Sequence, residues 1–223
     1  MSETATTAVS LPRRSLHYWK GIPVPFIICW NREVEAVKNQ TGPGAMIKMV
    51  GTSPGGLLRV SYSDEWPYDR DRHGVLWQRY PIAMYQGDPH FAKVHPSRQR
   101  RCMAKRLCQV CGNPASFNED GWLWLVTHED AARLRAGGEQ RVRTANPPVC
   151  ERCSELARTL CPNLLKGNAL VRANTVTDWG VYGLKATPDG AYAGHTVAYD
   201  DPAVIQIVAG QQLVIISDLT LIS

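Results

Sequence analysis

The chain has 223 residues, of which 44% are hydrophobic, only 20% are charged and seven are tryptophans. A chain of this length and composition can bury one core or two small ones, which excludes an intrinsically disordered protein. No apolar run approaches the roughly 20 residues that span a bilayer, and the first residues lack the pattern of a secretion signal. We therefore expect a soluble cytoplasmic protein with no membrane partner.

The net charge of +5 is distributed unevenly along the chain. The segment 93–106 carries six basic side chains and no acidic one, whereas five aspartates face a single lysine after Arg172. A basic segment of this kind indicates a surface for an anionic partner such as DNA or RNA, although a solvated face that binds nothing has the same composition. The candidate nucleic-acid-binding residues are Arg98, Arg100, Arg101, Lys105 and Arg106.

In chain order, residues 1–14 have no periodic pattern and are expected to form a flexible tail. Residues 15–95 are expected to be β-rich. Prolines within the apolar run 22–30 indicate an edge strand or extended segment, and a short helix is expected from Asn31. Segments 45–50 and 57–62, separated by the turn sequence GTSPGG, predict a strand pair, and 74–80 predicts a third strand.

Residues 96–166 contain a predicted basic helix, with Ser97 as its N-cap, followed by two Cys-x-x-Cys pairs. Residues 167–223 alternate apolar stretches with Asp-Gly, Ala-Gly and Gly-Gln turn signals, which predicts short antiparallel strands. These regions predict an α+β protein whose N- and C-terminal parts are rich in β-structure.

The two cysteine pairs predict one structural zinc ion. Two such pairs in a reducing compartment favour a metal over disulfides, because tight turns let four thiolates face one point at about 2.3 Å. Four thiolates leave no open position for water, so the metal is expected to stabilise the fold and not to catalyse. A redox dithiol and simple core packing are the alternatives. The predicted ligands are Cys108, Cys111, Cys150 and Cys153.

The first pair lies in LCQVCGNP, a strand WLWLVT follows, and the second pair begins a predicted amphipathic helix. This order resembles a treble-clef zinc site, over about 50 residues, and the resemblance implies a treble-clef-like zinc module at the centre of the fold. The RQRR segment that leads into CQVCG also resembles that of a type of actinobacterial protein. That second resemblance implies no activity.

The same region distantly resembles HNH endonucleases, which place a histidine and an asparagine between two Cys-x-x-Cys pairs. The corresponding residues are Cys108, Cys111, His128, Asn146, Cys150 and Cys153. Thr127 stands where that family commonly has a metal-binding aspartate, and Ser154 stands where it has a metal-binding His or Asn. The resemblance therefore implies a degenerate relative that keeps the scaffold, and Thr127 with Asp130 predicts instead that His128 lies in the first turn of a helix.

We expect a zinc-stabilised binding protein that contacts nucleic acid through the basic segment, with Trp122 and Trp124 available for base stacking. One alternative is an enzyme with a structural zinc and an active site near His90, His95 and Arg98. Another is a protein-interaction adaptor with an exposed apolar patch. The sequence assigns no role to His195.

Overall fold

The computed structural model describes residues 14–37, 47–52, 58–137, 140–186 and 192–222. Within them the chain is an α+β protein with one seven-stranded sheet, three two-stranded sheets and five α-helices, which confirms the predicted class. The helices are α1 (Asn31–Glu35), α2 (Pro96–Lys105), α3 (His128–Arg135), α4 (Glu151–Leu160) and α5 (Pro162–Leu165). The strands are β1 (His17–Trp19), β2 (Ile22–Val24), β3 (Ile28–Trp30), β4 (Ile47–Thr52), β5 (Leu58–Tyr62), β6 (Leu76–Trp77), β7 (Pro89–Val94), β8 (Phe117–Asn118), β9 (Gly121–Thr127), β10 (Arg141–Thr144), β11 (Asn168–Ala186), β12 (Tyr192–Ala198) and β13 (Ile207–Leu221). Two 3-10 helices lie at Pro67–Asp69 and Pro202–Gln206.

The seven-stranded sheet runs in the order β10-β13-β11-β9-β8, with β12 beside β11 and β6 beside β13. The β6–β13 pair is parallel and the other pairs are antiparallel. The sheet takes one strand from region 15–95, three from 96–166 and three from 167–223. A single sheet thus connects the basic helix, the cysteine pairs and the C-terminal strands.

The C-terminal region differs from the short strands that its turn signals predict. β11 has 19 residues and β13 has 15, and glycines lie inside both strands. A side chain at Gly180 would lie 2.0 Å from the carbonyl oxygen of Val197, so glycine here permits close approach of β12 and does not end the strand. The register shifts between Asp178 and Gly180. The predicted Asp189-Gly190 turn lies outside the described residues.

The N-terminal region largely follows its pattern. The run 22–30 is divided into β2 and β3, which belong to separate two-stranded sheets, and a helix begins at Asn31 as predicted. β4 and β5 pair antiparallel, which confirms the predicted strand pair. The third strand is shorter than predicted, because only Leu76 and Trp77 pair with β13. The predicted tail 1–14 falls outside the described residues except for Arg14.

The basic helix α2 begins two residues earlier than predicted. His95 occupies the N-cap position and Pro96 the first helical position, so the predicted cap at Ser97 is wrong. Proline suits this position because its φ is already helical and its missing N–H would have no partner there. The helix ends at Arg106, which adopts a left-handed conformation with φ 50°.

Strand β9 has cores on both of its faces, which is what positions the cysteine pairs. Leu123 and Leu125 pack with the cysteines, whereas Trp124 and Val126 pack with Met103 of α2 and with α3. The sequence predicted that Trp124 is available for base stacking. Its side chain is only 1% exposed, so it cannot stack on a base. Trp122 is half-buried and contacts Phe117.

Candidate metal centre

Four cysteine thiols converge at one point between the end of α2 and the start of α4. Their Sγ atoms all lie within 4.8 Å of one another, and those of Cys111 and Cys150 are 3.9 Å apart. Four sulfur atoms at about 2.3 Å from a tetrahedral zinc ion would be separated by about 3.8 Å. Within the described residues they form the sole group of three or more His, Cys, Asp or Glu side chains that could hold a metal. This thiol cluster, Cys108, Cys111, Cys150 and Cys153, therefore lies within ligand distance of one metal ion such as zinc.

A tight turn presents the first two thiols. The N–H of Gly112 donates to the carbonyl oxygen of Cys108 at 2.8 Å, and the N–H of Cys108 donates to that of Asn113 at 2.7 Å. Gly112 has φ +71°, and a side chain there would lie 2.9 Å from the ring of Phe26. Glycine is therefore required both by the backbone conformation and by the space available.

The N-terminus of α4 presents the other two thiols, as the sequence predicted. Cys150 is the N-cap residue and Cys153 is the third residue of the helix. Before the helix, the N–H of Gln109 donates to the carbonyl oxygen of Pro148 at 3.0 Å, and the N–H of Val149 donates to that of Leu123 at 2.9 Å. These bonds tie the second pair to both the first turn and β9.

Hydrogen bonds among the four thiols shift their pKa values in both directions. Hydrogen bonding with Cys108 lowers the pKa of Cys150 to about 7, and hydrogen bonds from the other three cysteines hold the pKa of Cys111 below its usual range. The same contacts raise the pKa values of Cys108 and Cys153, which keep their protons longer. Thiolate is the form that binds metal, so the cluster is prepared to exchange its protons for a cation.

One side of the thiol cluster faces a cleft of about 650 Å³. Cys150 is half-buried at this wall, and Arg14, Tyr18 and Arg152 lie around the opening. The cleft could not be predicted from local patterns, because its walls come from three separate segments of the chain. The cleft supplies a path by which a metal ion can reach the thiols.

Arg98, the first of the predicted nucleic-acid contacts, lies in the core. Its guanidinium donates to the two carboxylate oxygens of Glu33 at 2.6 and 2.7 Å and to the carbonyl oxygen of Ile28 at 2.7 Å. Glu33 also accepts the backbone N–H groups of Trp30 and Ala83, at 2.9 and 3.1 Å. A buried ion pair of this kind satisfies both charges internally and removes Arg98 from the basic surface.

The other basic residues of α2 divide into two sets. The guanidinium of Arg100 lies 4.0 Å from the ring centroid of Trp77, and the half-buried Arg106 donates to the carbonyl oxygen of Met103. Arg101 and Lys105 are exposed. The sequence predicted nucleic-acid contacts for all five basic residues, whereas the fold buries Arg98, half-buries Arg100 and Arg106, and exposes only Arg101 and Lys105 among them.

The predicted enzyme site near His90, His95 and Arg98 is a packed polar cluster. We call Glu33, His95 and Arg98 the Glu33 cluster; all three are buried. His95 Nε2 donates to the carbonyl oxygen of Pro81 at 3.2 Å and lies 3.8 Å from a Glu33 carboxylate oxygen. His90 is half-buried on β7. The structure thus brings His95 and Arg98 together, with Glu33 as a partner that sequence reasoning missed.

The remaining candidate residues are exposed and separate from the thiol cluster. His128 begins α3, and its N-cap Thr127 accepts the N–H of Asp130, which confirms the predicted helix start. Asn146 donates its backbone N–H to the hydroxyl of Thr144 at 3.0 Å. His195 lies on β12, where it pairs with Gly183 in β11.

No family model, curated protein or solved structure matches this chain. In the part of the chain that the structure describes, the helices are too short or too polar to cross a membrane. The convergence of the four thiols is thus the feature from which a function can be argued.

Proposed function

We propose that this chain is a zinc-stabilised nucleic-acid-binding protein. The convergence of four thiols immediately after the basic helix carries the proposal. Four thiolate ligands complete the tetrahedral coordination of zinc and leave no position for a reacting water. Zinc bound there supplies folding free energy, and the residues around it supply the binding surface.

The proposed zinc site is treble-clef-like. A turn with two ligands at 108–113 is followed by the β8–β9 hairpin, and α4 then provides two ligands from its first turn. The helix N-terminus carries partial positive charge, which stabilises the thiolates of Cys150 and Cys153. This arrangement supports treating 96–166 as the metal-holding module, with the basic helix at its beginning.

The exposed cations of α2 would contact nucleic acid phosphates. The helix is held at one end by the Arg98–Glu33 ion pair and is followed at the other by the thiol cluster. Between these anchors Arg101 and Lys105 are exposed, and 93–106 contains no acidic side chain. A rigid helix that presents cations loses little entropy when it binds a polyanion, and the affinity should fall steeply with salt.

The test is fluorescence anisotropy with labelled single-stranded and duplex oligonucleotides, at salt concentrations from about 50 to 200 mM. We expect the double charge reversal R101E/K105E to weaken binding about tenfold or more, because it replaces two attractions with two repulsions. The matched control K48E/K166E makes the same charge change at two exposed lysines outside α2. Absence of any binding at low salt would refute the proposal for nucleic acid.

The metal is tested separately by elemental analysis of the purified protein. We expect about one zinc per chain, retained during dialysis and removed by a strong chelator under denaturing conditions. A protein that folds with full stability and no bound metal would contradict the structural role of the thiol cluster.

A further inference from the structure

The four thiols of the cluster differ in their access to solvent. Cys108 is 0% exposed and Cys153 is 1% exposed, and both pack with apolar side chains of β9. Cys111 is 8% exposed, and Cys150 is half-buried and the most accessible of the four. The Sγ atoms of these two more accessible thiols, one from each Cys-x-x-Cys pair, lie 3.9 Å apart. Access and proximity therefore coincide at Cys111 and Cys150.

The side chain of Cys150 is not used to hold the backbone around it. Cys150 is the N-cap residue of α4, in an extended conformation, and its side chain makes no capping hydrogen bond. Its carbonyl oxygen accepts the N–H of Ser154 at 2.9 Å, which fixes the main chain. Side-chain rotation can therefore bring the sulfurs of Cys111 and Cys150 from 3.9 Å toward the roughly 2.05 Å of a disulfide bond while this backbone bond stays in place.

The cleft brings solvent to these two thiols. Cys111, Cys150 and Cys153 line its wall, and the half-exposed Tyr18 lies at its opening. A cleft of about 650 Å³ admits hydrogen peroxide, which is little larger than a water molecule. Thiolates that solvent can reach are the cysteines most readily oxidised, and a second thiol close by lets the oxidised sulfur form a disulfide.

We propose that Cys150 is a site of reversible oxidation by hydrogen peroxide, and that Cys111 then forms a disulfide with it and releases the metal. This proposal rests on the zinc site of the proposed function and adds a modification to it. A disulfide between these residues removes two of the four ligands, and the remaining two thiolates cannot complete the coordination of zinc. The thiol cluster thus loses zinc on oxidation and can bind it again after reduction.

The reaction has two steps. In the first, the Cys150 thiolate attacks one oxygen of the peroxide and the O–O bond breaks, which leaves a sulfenic acid on Cys150 and one hydroxide ion. In the second, the Cys111 thiolate attacks the Cys150 sulfur, an S–S bond forms, and the S–O bond breaks to release a second hydroxide ion. The two thiolates together lose two electrons, the peroxide gains them, and protons from the buffer convert both hydroxide ions to water.

The other two thiols are alternative partners for the oxidised Cys150. Cys108 and Cys153 also lie within 4.8 Å of it, but both are almost fully buried among apolar side chains. Moving either sulfur toward the cleft would cost packing contacts in that core. Cys111 combines access with a sulfur at 3.9 Å. The expected disulfide therefore joins the two Cys-x-x-Cys pairs, which distinguishes this site from a redox dithiol within one pair.

The experiment treats the full-length protein, loaded with zinc, with increasing concentrations of hydrogen peroxide. A colorimetric chelator measures released zinc, and peptide mass spectrometry after alkylation of free thiols identifies the disulfides. We expect loss of one zinc per chain together with a disulfide between Cys111 and Cys150, and recovery of zinc binding after treatment with dithiothreitol and added zinc. Dimedone, which traps sulfenic acids, should form its adduct on Cys150.

Three variants test the site and the route to it. Cys161→Ser removes a half-buried cysteine outside the thiol cluster and should leave zinc release unchanged. Tyr18→Ala removes a side chain at the opening of the cleft and should speed release at least about twofold, because oxidation follows access. Tyr68→Ala is its matched control, since Tyr68 is exposed and does not line the cleft.

The outcomes separate this proposal from the proposed function. A purified protein that binds no zinc refutes the zinc site and this proposal with it. Zinc that stays bound at peroxide concentrations that oxidise a free thiol such as glutathione overturns the oxidation alone. A disulfide within either Cys-x-x-Cys pair, or a dimedone adduct on another cysteine of the cluster, overturns the roles given to Cys150 and Cys111. Equal rates of release from the Tyr18 and Tyr68 variants overturn the cleft as the route.

Discussion

Two polar clusters flank the basic helix, and their buried ionisable groups are compensated in different ways. In the Glu33 cluster, at the start of α2, an acid pairs with an arginine and backbone groups bond to both, while the buried Arg98 Nε and His95 Nδ1 have no hydrogen-bond partner among the described residues. The thiol cluster, beyond the end of α2, gathers four groups of the same kind that can only share protons. The charges of the Glu33 cluster nearly cancel within the cluster, whereas the thiol cluster, once deprotonated, needs a bound cation to balance its charge.

The comparison separates structural polar groups from a binding site. Arg98 and Glu33 each have the other as an opposite charge, so this pair needs no external counter-ion. Four thiolates would repel one another in the absence of a metal, and the cleft beside Cys150 leaves them accessible. A group of like ligands with access to solvent is therefore a stronger sign of binding than a set of buried charges that are paired.

The largest effect should come from breaking the thiol cluster. Cys150→Ser should remove zinc and lower the free energy of unfolding by an amount on the order of 5 kcal/mol or more, because metal binding is coupled to folding. Elemental analysis and urea unfolding measure both quantities. Cys161→Ser is the matched control, since Cys161 is half-buried outside the cluster and its loss should leave one zinc per chain. Zinc retained by the Cys150 variant would disprove the four-thiol assignment.

A smaller loss should follow from breaking the Glu33 cluster. Glu33→Ala leaves the buried guanidinium of Arg98 without its anion and should lower the free energy of unfolding by about 3 to 5 kcal/mol. Glu35→Ala removes an exposed carboxylate from the same helix and should change it by less than about 0.5 kcal/mol. Equal effects of the two variants in urea unfolding would mean that the ion pair contributes nothing to stability.

The smallest expected effect is on the pH dependence of the free energy of unfolding. Burial lowers the pKa of His95, and the charge of Arg98 lowers it further. Below a pH of about 6.5 this histidine is protonated in the unfolded chain but remains neutral in the folded protein. The free energy of unfolding therefore decreases as the pH is lowered, by at most about 1.4 kcal/mol per pH unit. His95→Gln should flatten this part of the pH profile, and His195→Gln, which changes an exposed histidine, is the matched control. The profile is measured by urea unfolding at several pH values with zinc content checked at each.

Glu33 also makes the protein less stable as the pH is lowered, but in a more acidic range than His95. Burial alone would raise the pKa of Glu33, but hydrogen bonds from Arg98 and from the Trp30 N–H lower it overall. The stability that this carboxylate provides is therefore present above its unfolded pKa of about 4.3 and is lost as pH falls through its folded value. A pH profile that is flat in both windows would contradict the contacts of the Glu33 cluster.

Local patterns predicted the parts of this protein that depend on local geometry. The Cys-x-x-Cys spacing, Gly112 and the start of α4 could be predicted because each depends on a turn or a helix cap a few residues long. The boundaries of β11 could not, because the apolar stretches ALVRA and WGVYGL were predicted as separate short strands, and only their pairing with β13 shows that they form one long strand. The start of α2 was predicted two residues too late, because Ser97 was assigned as the N-cap and Pro96 was not considered as the first helical residue.

By itself the sequence determined the mixed α+β class and the four thiols that can hold a metal, since ligand type and spacing are local properties. Only the tertiary structure decided what each arginine does. Arg98 and Arg101 are three residues apart, yet one meets Glu33, which is 65 residues away, and the other meets solvent. The reason is physical: the effect of a charge depends on its dielectric surroundings and on its partner, and both are set by contacts between distant parts of the chain.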